Sequence, residues 1–176
     1  AIMLYGQPQT HLYKTINKEI IPSKINCMLL SATGFFYLGA AEGLYLYDGN
    51  SSKHLSASNP VIKNCSALYE DNNGLLWIGS SNGAIFKYSN RQAEEYKPEE
   101  GLPKVAISKI VQDKNKRIWW STRGEGVYVI HNNRLYNINA DDGLADDYVY
   151  DLQFINGKIV ASTDNGISIC WFDGTN

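Results

Sequence analysis

GLLWIGSSNGAIFKY, from Gly74 to Tyr88, decides the fold because the chain writes this unit four times. The other copies are GFFYLGAAEGLYLY (Gly34 to Tyr47), KRIWWSTRGEGVYVI (Lys116 to Ile130) and GKIVASTDNGISICW (Gly157 to Trp171). Each holds an aromatic or aliphatic run, a turn of small residues, a glycine and, after it, a second apolar run. The glycines are Gly43, Gly83, Gly126 and Gly166, at intervals of 40, 43 and 40 residues. A repeat of that length made of short strands is an array of small sheets, and function then lies where the copies differ.

Upstream of each glycine runs a further apolar stretch: Asn26 to Ser31, Cys65 to Glu70, Ile107 to Gln112 and Tyr148 to Phe154, with Leu29, Leu68, Ile110 and Leu152 at matching places. These runs are short, rich in β-branched and aromatic residues, and bounded by Asn, Asp and Gly, which marks strands. Helical spacing is sustained nowhere. The turns between first and second strands read TG, DNNG, DKNK and NG, and Asn-Gly and its relatives supply the positive φ of a tight hairpin. A third strand follows the glycine. A more polar fourth one lies at His54-Leu55, Ala93 to Tyr96 and Arg134 to Ile138, where its polarity suits an outer edge. The expectation is an all-β protein of four-stranded antiparallel β-propeller blades, about four of them.

Two connections between units read GLPKVAIS (Gly101 to Ser108) and GLADDYVYD (Gly143 to Asp151). With Asp-x-x-Gly, Leu-Trp-Ile-Gly-Ser, a turn, a glycine and a tyrosine-ended strand, the chain resembles the two-component regulator propeller repeat over nearly its whole length. Copies one and four depart from the pattern, with Tyr37 and Val160 at the tryptophan position and Ala161-Ser162 for Ile-Gly. The resemblance implies the periplasmic sensor region of a sensor or hybrid histidine kinase of Bacteroidetes-like bacteria. Such regions carry rings of about seven blades, then a β-sandwich, a membrane helix and a kinase. It also implies an oligosaccharide signal, no cofactor, and as partners the remaining repeats and β-sandwich of the same parent protein, with a homodimer as a further option.

Unit boundaries fall at 1–24 (the third and fourth strands of a preceding blade, with a linker), 25–60, 61–104, 105–147 and 148–176, the last unit lacking its final strand. Ala1 to Tyr5 aligns with Ala84 to Tyr88, and His11 to Lys14 reads as a fourth strand. The expectation is therefore a slice of a larger propeller, cut inside blades, that associates with another copy or with missing repeats. Four units closing a ring alone is the alternative.

At 176 residues and 44% hydrophobic, the chain can bury a sizeable core. No apolar run approaches the ~18 residues that span a bilayer, so no membrane contact is expected of this segment. The 16 basic and 18 acidic residues are mixed and leave a net charge of −2, which offers nucleic acid no electrostatic platform. Cys27, Cys65 and Cys170 form no metal-binding spacing, so no metal site is expected, and the first two are expected to be buried as small hydrophobes, with a disulfide between them left open. The run Asp141 to Asp147 lacks the alternating ligands of a calcium loop and reads as a soluble turn.

Strand parity puts the second-to-third-strand turns and the linkers between blades on one face. There the third copy has an extra residue, Arg123-Gly124-Glu125-Gly126, just after Trp119-Trp120. An insertion into a repeat is where a binding loop is most easily grafted. Trp120 as a stacking face and Arg123 and Glu125 as polar groups are the candidate ligand-binding residues, against the plainer reading that the tryptophans pack between blades and the charges are solvated. Tyr5, Tyr47, Tyr88 and Tyr128 recur near third-strand ends and are expected to pack. His11, His54 and His131 are expected at the surface. No catalytic residue is assigned. The leading expectation is a non-catalytic sensor segment, and the alternatives are a polysaccharide lyase or hydrolase on a propeller or a purely structural interaction array.

Overall fold

The computed structural model describes residues 24–55 and 62–172. Within them the chain forms four antiparallel sheets in sequence order. Blade one contains β1 (Ile25–Leu30), β2 (Phe36–Ala40), β3 (Leu44–Tyr47) and β4 (Ser52–His54). Blade two contains β5 (Cys65–Glu70), β6 (Leu76–Ser80), β7 (Ile85–Ser89) and β8 (Gln92–Glu95). Blade three contains β9 (Ile107–Gln112), β10 (Ile118–Thr122), β11 (Val127–His131) and β12 (Arg134–Ile138). Blade four contains β13 (Val149–Ile155), β14 (Lys158–Thr163) and β15 (Gly166–Cys170), three strands among the described residues. The first strands meet in series, β1 on β5, β5 on β9 and β9 on β13, which is the stacking of a β-propeller. The strands at 1–5 and 11–14 expected from the sequence lie outside the described residues.

Each pair of blades closes on a dry apolar layer. Leu44, Cys65, Leu68 and Ile78 fill the first, Ile85, Ile107, Ile110 and Trp120 the second, and Val127, Val149, Leu152 and Trp119 the third. Burying one such side chain contributes roughly 1.5–3 kcal/mol, so these layers hold the array together. Leu44, Ile85 and Val127 occupy one register position beside a small residue of the second strand, and all are fully buried. Ile167 is their counterpart in blade four and is 71% exposed, because the described residues put no further blade against it.

Register corrects one alignment read from the sequence. A bulge early in the first strand pairs Met28 with Leu38, as Leu68 pairs with Ile78, Ile110 with Trp120 and Leu152 with Ala161. Met28, not Leu29, is thus the partner of Leu68, Ile110 and Leu152, and it stands 70% exposed on the outer side of blade one. The histidines need correcting too: His54 is half-buried and stacks on Tyr45, and His131 is half-buried against Phe172. Tyr47 and Tyr88 are buried, and Tyr128 stacks on Trp120 with ring centroids 5.8 Å apart.

The tryptophan of the repeat and the aspartate six residues before it form one unit. Asp71 accepts from the backbone N–H of Asn73 and Leu75, which closes the first hairpin, and from the indole of Trp77 at 3.2 Å. Blade three repeats this with Asp113 and Trp119. The same positions hold Ser31 and Tyr37 in blade one and Ile155 and Val160 in blade four, so the two residues change together. A buried indole N–H without an acceptor is costly.

Candidate functional site

Neighbouring blades are joined by a side-chain ladder along the first strands. Asn26 donates to the carbonyl of Cys65 at 3.1 Å, Ser66 to Ile107 at 2.7 Å and Ser108 to Val149 at 2.6 Å. In each case the bulged residue aims its polar atom sideways at the next blade. Blade four places Tyr150 here, and its hydroxyl turns instead to the carboxylate of Asp164 in the adjacent turn. That carboxylate raises the Tyr150 hydroxyl pKa above its ordinary value.

Above this ladder, on the face of the second-to-third-strand turns, lies an open cavity of 620 Å³. Lys24, Asn26, Asn64, Arg123 and three serines, Ser66, Ser81 and Ser108, supply its polar wall. The turns of this face are held to the linkers beside them: Asn64 N–H donates to Ala41, Ser81 N–H to Asn64 and Arg123 N–H to Ala106. The expected grouping of turns and linkers on one face is therefore present.

The three candidate residues separate. Trp120 is fully buried between blades two and three, wedged among Ile110, Ile118 and Tyr128, so its ring offers no stacking surface to a ligand. β10, the second strand of blade three, is covered on both sides, and successive residues of a strand point to opposite faces, so the adjacent Trp119 and Trp120 are both buried. Glu125 is a clamp. Its carboxylate accepts from the Lys104 N–H at 3.1 Å and the Tyr128 hydroxyl at 3.0 Å, and its carbonyl accepts from Asn137. Burial and this carboxylate together push the Tyr128 hydroxyl far above its usual pKa, so Tyr128 stays a donor. Arg123 alone reaches the cavity, exposed, with one guanidinium N–H 3.3 Å from the Tyr148 hydroxyl and the group 5.9 Å above that ring. Asn26, Ser66 and Ser108 went unnoticed in the sequence; the signal was a polar residue second in each first strand.

The acidic run is a built turn. Asn139 caps a short 3-10 segment, Ala140–Asp142, in a capping box with Asp142, while Asp147 accepts from Ala140 N–H and Asp146 from Tyr148 N–H. No group of three or more His, Cys, Asp or Glu among the described residues is arranged to hold a metal ion. No helix among them is long and apolar enough to cross a membrane.

Comparison with known proteins agrees with this architecture. The two component regulator propeller family matches residues 58–82, which run into the heart of blade two. Histidine kinase P4 of Formosa agariphila is 32% identical over 76 residues, covering 38% of this chain and 6% of the kinase. The extracellular domain of a proposed one component system from B. thetaiotaomicron superposes with a TM-score of 0.70 at 23% identity, over 85% of this chain and 22% of that one. That of a proposed hybrid two component system from the same organism gives 0.67 at 21% identity, over 89% and 22%. A streptogramin B lyase also shares the fold, with a TM-score of 0.63 at 15% identity, over 85% and 53%. The chain thus spans a small part of the sensor proteins it matches. Taken together, these comparisons show a β-propeller in which residues 58–82 match the two component regulator propeller family.

Proposed function

We propose that this chain is a non-catalytic segment of the extracytoplasmic, periplasmic sensor region of a two-component histidine kinase, and that the signal it senses is an oligosaccharide. The observation that carries the reading is the family match at 58–82, which falls on the unit that all four blades repeat. The two extracellular domains from B. thetaiotaomicron support the location, and the polar cavity beside Arg123 supports a hydroxyl-rich ligand. Oligosaccharide bound there would alter signalling by favouring one arrangement of blades or protomers, which requires different affinities for the two. Remaining repeats of the parent protein are the natural partners of the exposed blade faces.

The test is calorimetric titration of the chain with a panel of neutral host and plant oligosaccharides, with Arg123→Ala and Ser66→Ala alongside. Saturable binding weakened at least tenfold by Arg123→Ala supports the reading. Binding of no member by the folded chain argues for sensing through a partner protein or a scaffolding role. A hydrolase would need two convergent free carboxylates, whereas Glu125 is occupied by two donors and Asp164 by Tyr150.

A further inference from the structure

The three interfaces between blades each meet the other face, where the first-to-second and third-to-fourth-strand turns emerge, and among the described residues two of them are plugged. Between blades two and three, Lys87 pairs in register with Trp77 and lies over the rings of Trp77 and Tyr96, at 5.2 and 4.8 Å, leaving 440 Å³. Between blades three and four, Phe172 lies against His131, Tyr136 and Arg117, and its carbonyl accepts from Arg117 at 2.7 Å. Between blades one and two the residue in register with Tyr37 is Leu46, which is shorter than lysine and carries no cation to lay over a ring, and the groove measures 790 Å³.

This open groove is also distinct in charge. Lys53 and Arg91 come from blades one and two, both exposed, and among the described residues neither is in an ion pair and no Asp or Glu lines the groove. The second groove has Asp71 in its wall. Arg91 has left-handed backbone, φ 64°, in the two-residue turn after β7, where blade three has Asn133 at φ 62°. Asparagine tolerates that conformation; arginine has no such advantage, so the position selects the side chain and not the turn. Tyr37 and Tyr88 supply aromatic walls, and Asn73 and Asn90 amide groups.

We infer that this groove binds a carboxylated saccharide, with the carboxylate between Lys53 and Arg91 and the sugar ring against Tyr37. The acidic group follows from the groove's own charge, while the sugar rests on the oligosaccharide reading above. Paired cations reward a carboxylate, and tyrosine and amides suit a hydroxylated ring.

Titration of the full chain with tetragalacturonic acid and with neutral maltotetraose tests it. Arg91→Asn copies the turn of blade three, so it keeps the fold. The expected result is saturable tetragalacturonate binding that falls at least tenfold in Arg91→Asn and Lys53→Ala, with unchanged melting, and that Arg123→Ala leaves intact. Binding within twofold of the parent chain in Arg91→Asn, or no uronate binding at all, overturns the inference. Neutral saccharide binding that depends on Arg123, without uronate binding, would sink the groove and leave the sensor reading standing.

Discussion

Trp119 donates its indole N–H to the carboxylate of Asp113 at 3.0 Å, and the same carboxylate takes the side chain of Arg117 at 2.6 Å. Asp113 is nearly inaccessible, and burial alone would raise its pKa, but these hydrogen bonds outweigh it and hold the carboxyl below the ordinary carboxylate range. A carboxyl more acidic in the folded than in the unfolded chain contributes stability above the unfolded value of about 4, lost as pH falls through the folded value. Asp113→Asn should lower the melting temperature at pH 7 and flatten its decline between about pH 5 and 2. Calorimetric melting across that range checks this, and parallel curves for the two proteins would refute it.

The adjacent tryptophans respond differently to phenylalanine. Trp119 uses its N–H, whereas the N–H of Trp120 is buried with no partner. Trp119→Phe loses volume and a buried hydrogen bond, roughly 2–3 kcal/mol, while Trp120→Phe loses volume but removes an unsatisfied donor, about 1 kcal/mol. Urea unfolding at constant m-value separates the two.

Glycines at the same repeat position are not equivalent. A Cβ on Gly83 would lie 1.9 Å from the carbonyl oxygen of Pro103, and one on Gly126 would lie 2.2 Å from that of Ile138, whereas one on Gly166 meets nothing within 4 Å. All three have positive φ. Gly166→Ala should cost about 1 kcal/mol from backbone strain, and Gly83→Ala roughly 2–4 kcal/mol from strain and collision together. Equal denaturation midpoints would contradict the crossing of turn and linker.

Burial pushes the Cys27 thiol up to about 12 and that of Cys65 up to about 11. At pH 8 the reactive thiolate is then about one in a thousand molecules or fewer at either site. Alkylation in the folded chain should be at least tenfold slower than after unfolding in urea. Peptide mapping of a time course would show it, and equal rates would argue against burial.

The exposed side of blade four carries Ile167, Ile169 and Trp171. The counterparts of Ile167 elsewhere are buried in interfaces, so this face should drive concentration-dependent association. Light scattering is expected to show larger species for the parent chain and fewer for Ile167→Lys with Ile169→Lys.

The strands were readable because hairpin turns such as Asn156-Gly157 punctuate alternating apolar runs, and turns constrain register locally. The bulge that makes Met28 equivalent to Leu68 was missed, since its mark is a single polar residue, Asn26, Ser66 or Ser108, inside an otherwise apolar run. For the candidate site, Arg123 reached a cavity as the inserted turn suggested, but Trp120 did not, because both faces of a blade are covered and alternation there no longer separates inside from outside. The clamp made by Glu125 was not legible, because its partners, Lys104 and Tyr128, come from a linker and the following strand. Arg91 left a trace that was overlooked, an arginine where the third copy has asparagine.

The inserted turn of blade three is fastened on both sides. Arg123 N–H donates to Ala106, ahead of its own blade, while the N–H groups of Gly124 and Gly126 both reach the carbonyl of Asp147, ahead of the next. Arg123 also bridges in antiparallel fashion to Tyr148. A force applied at the Arg123 guanidinium is therefore delivered to the root of β13 through backbone bonds, so the turn acts as a lever on blade four and not as a flap over the cavity.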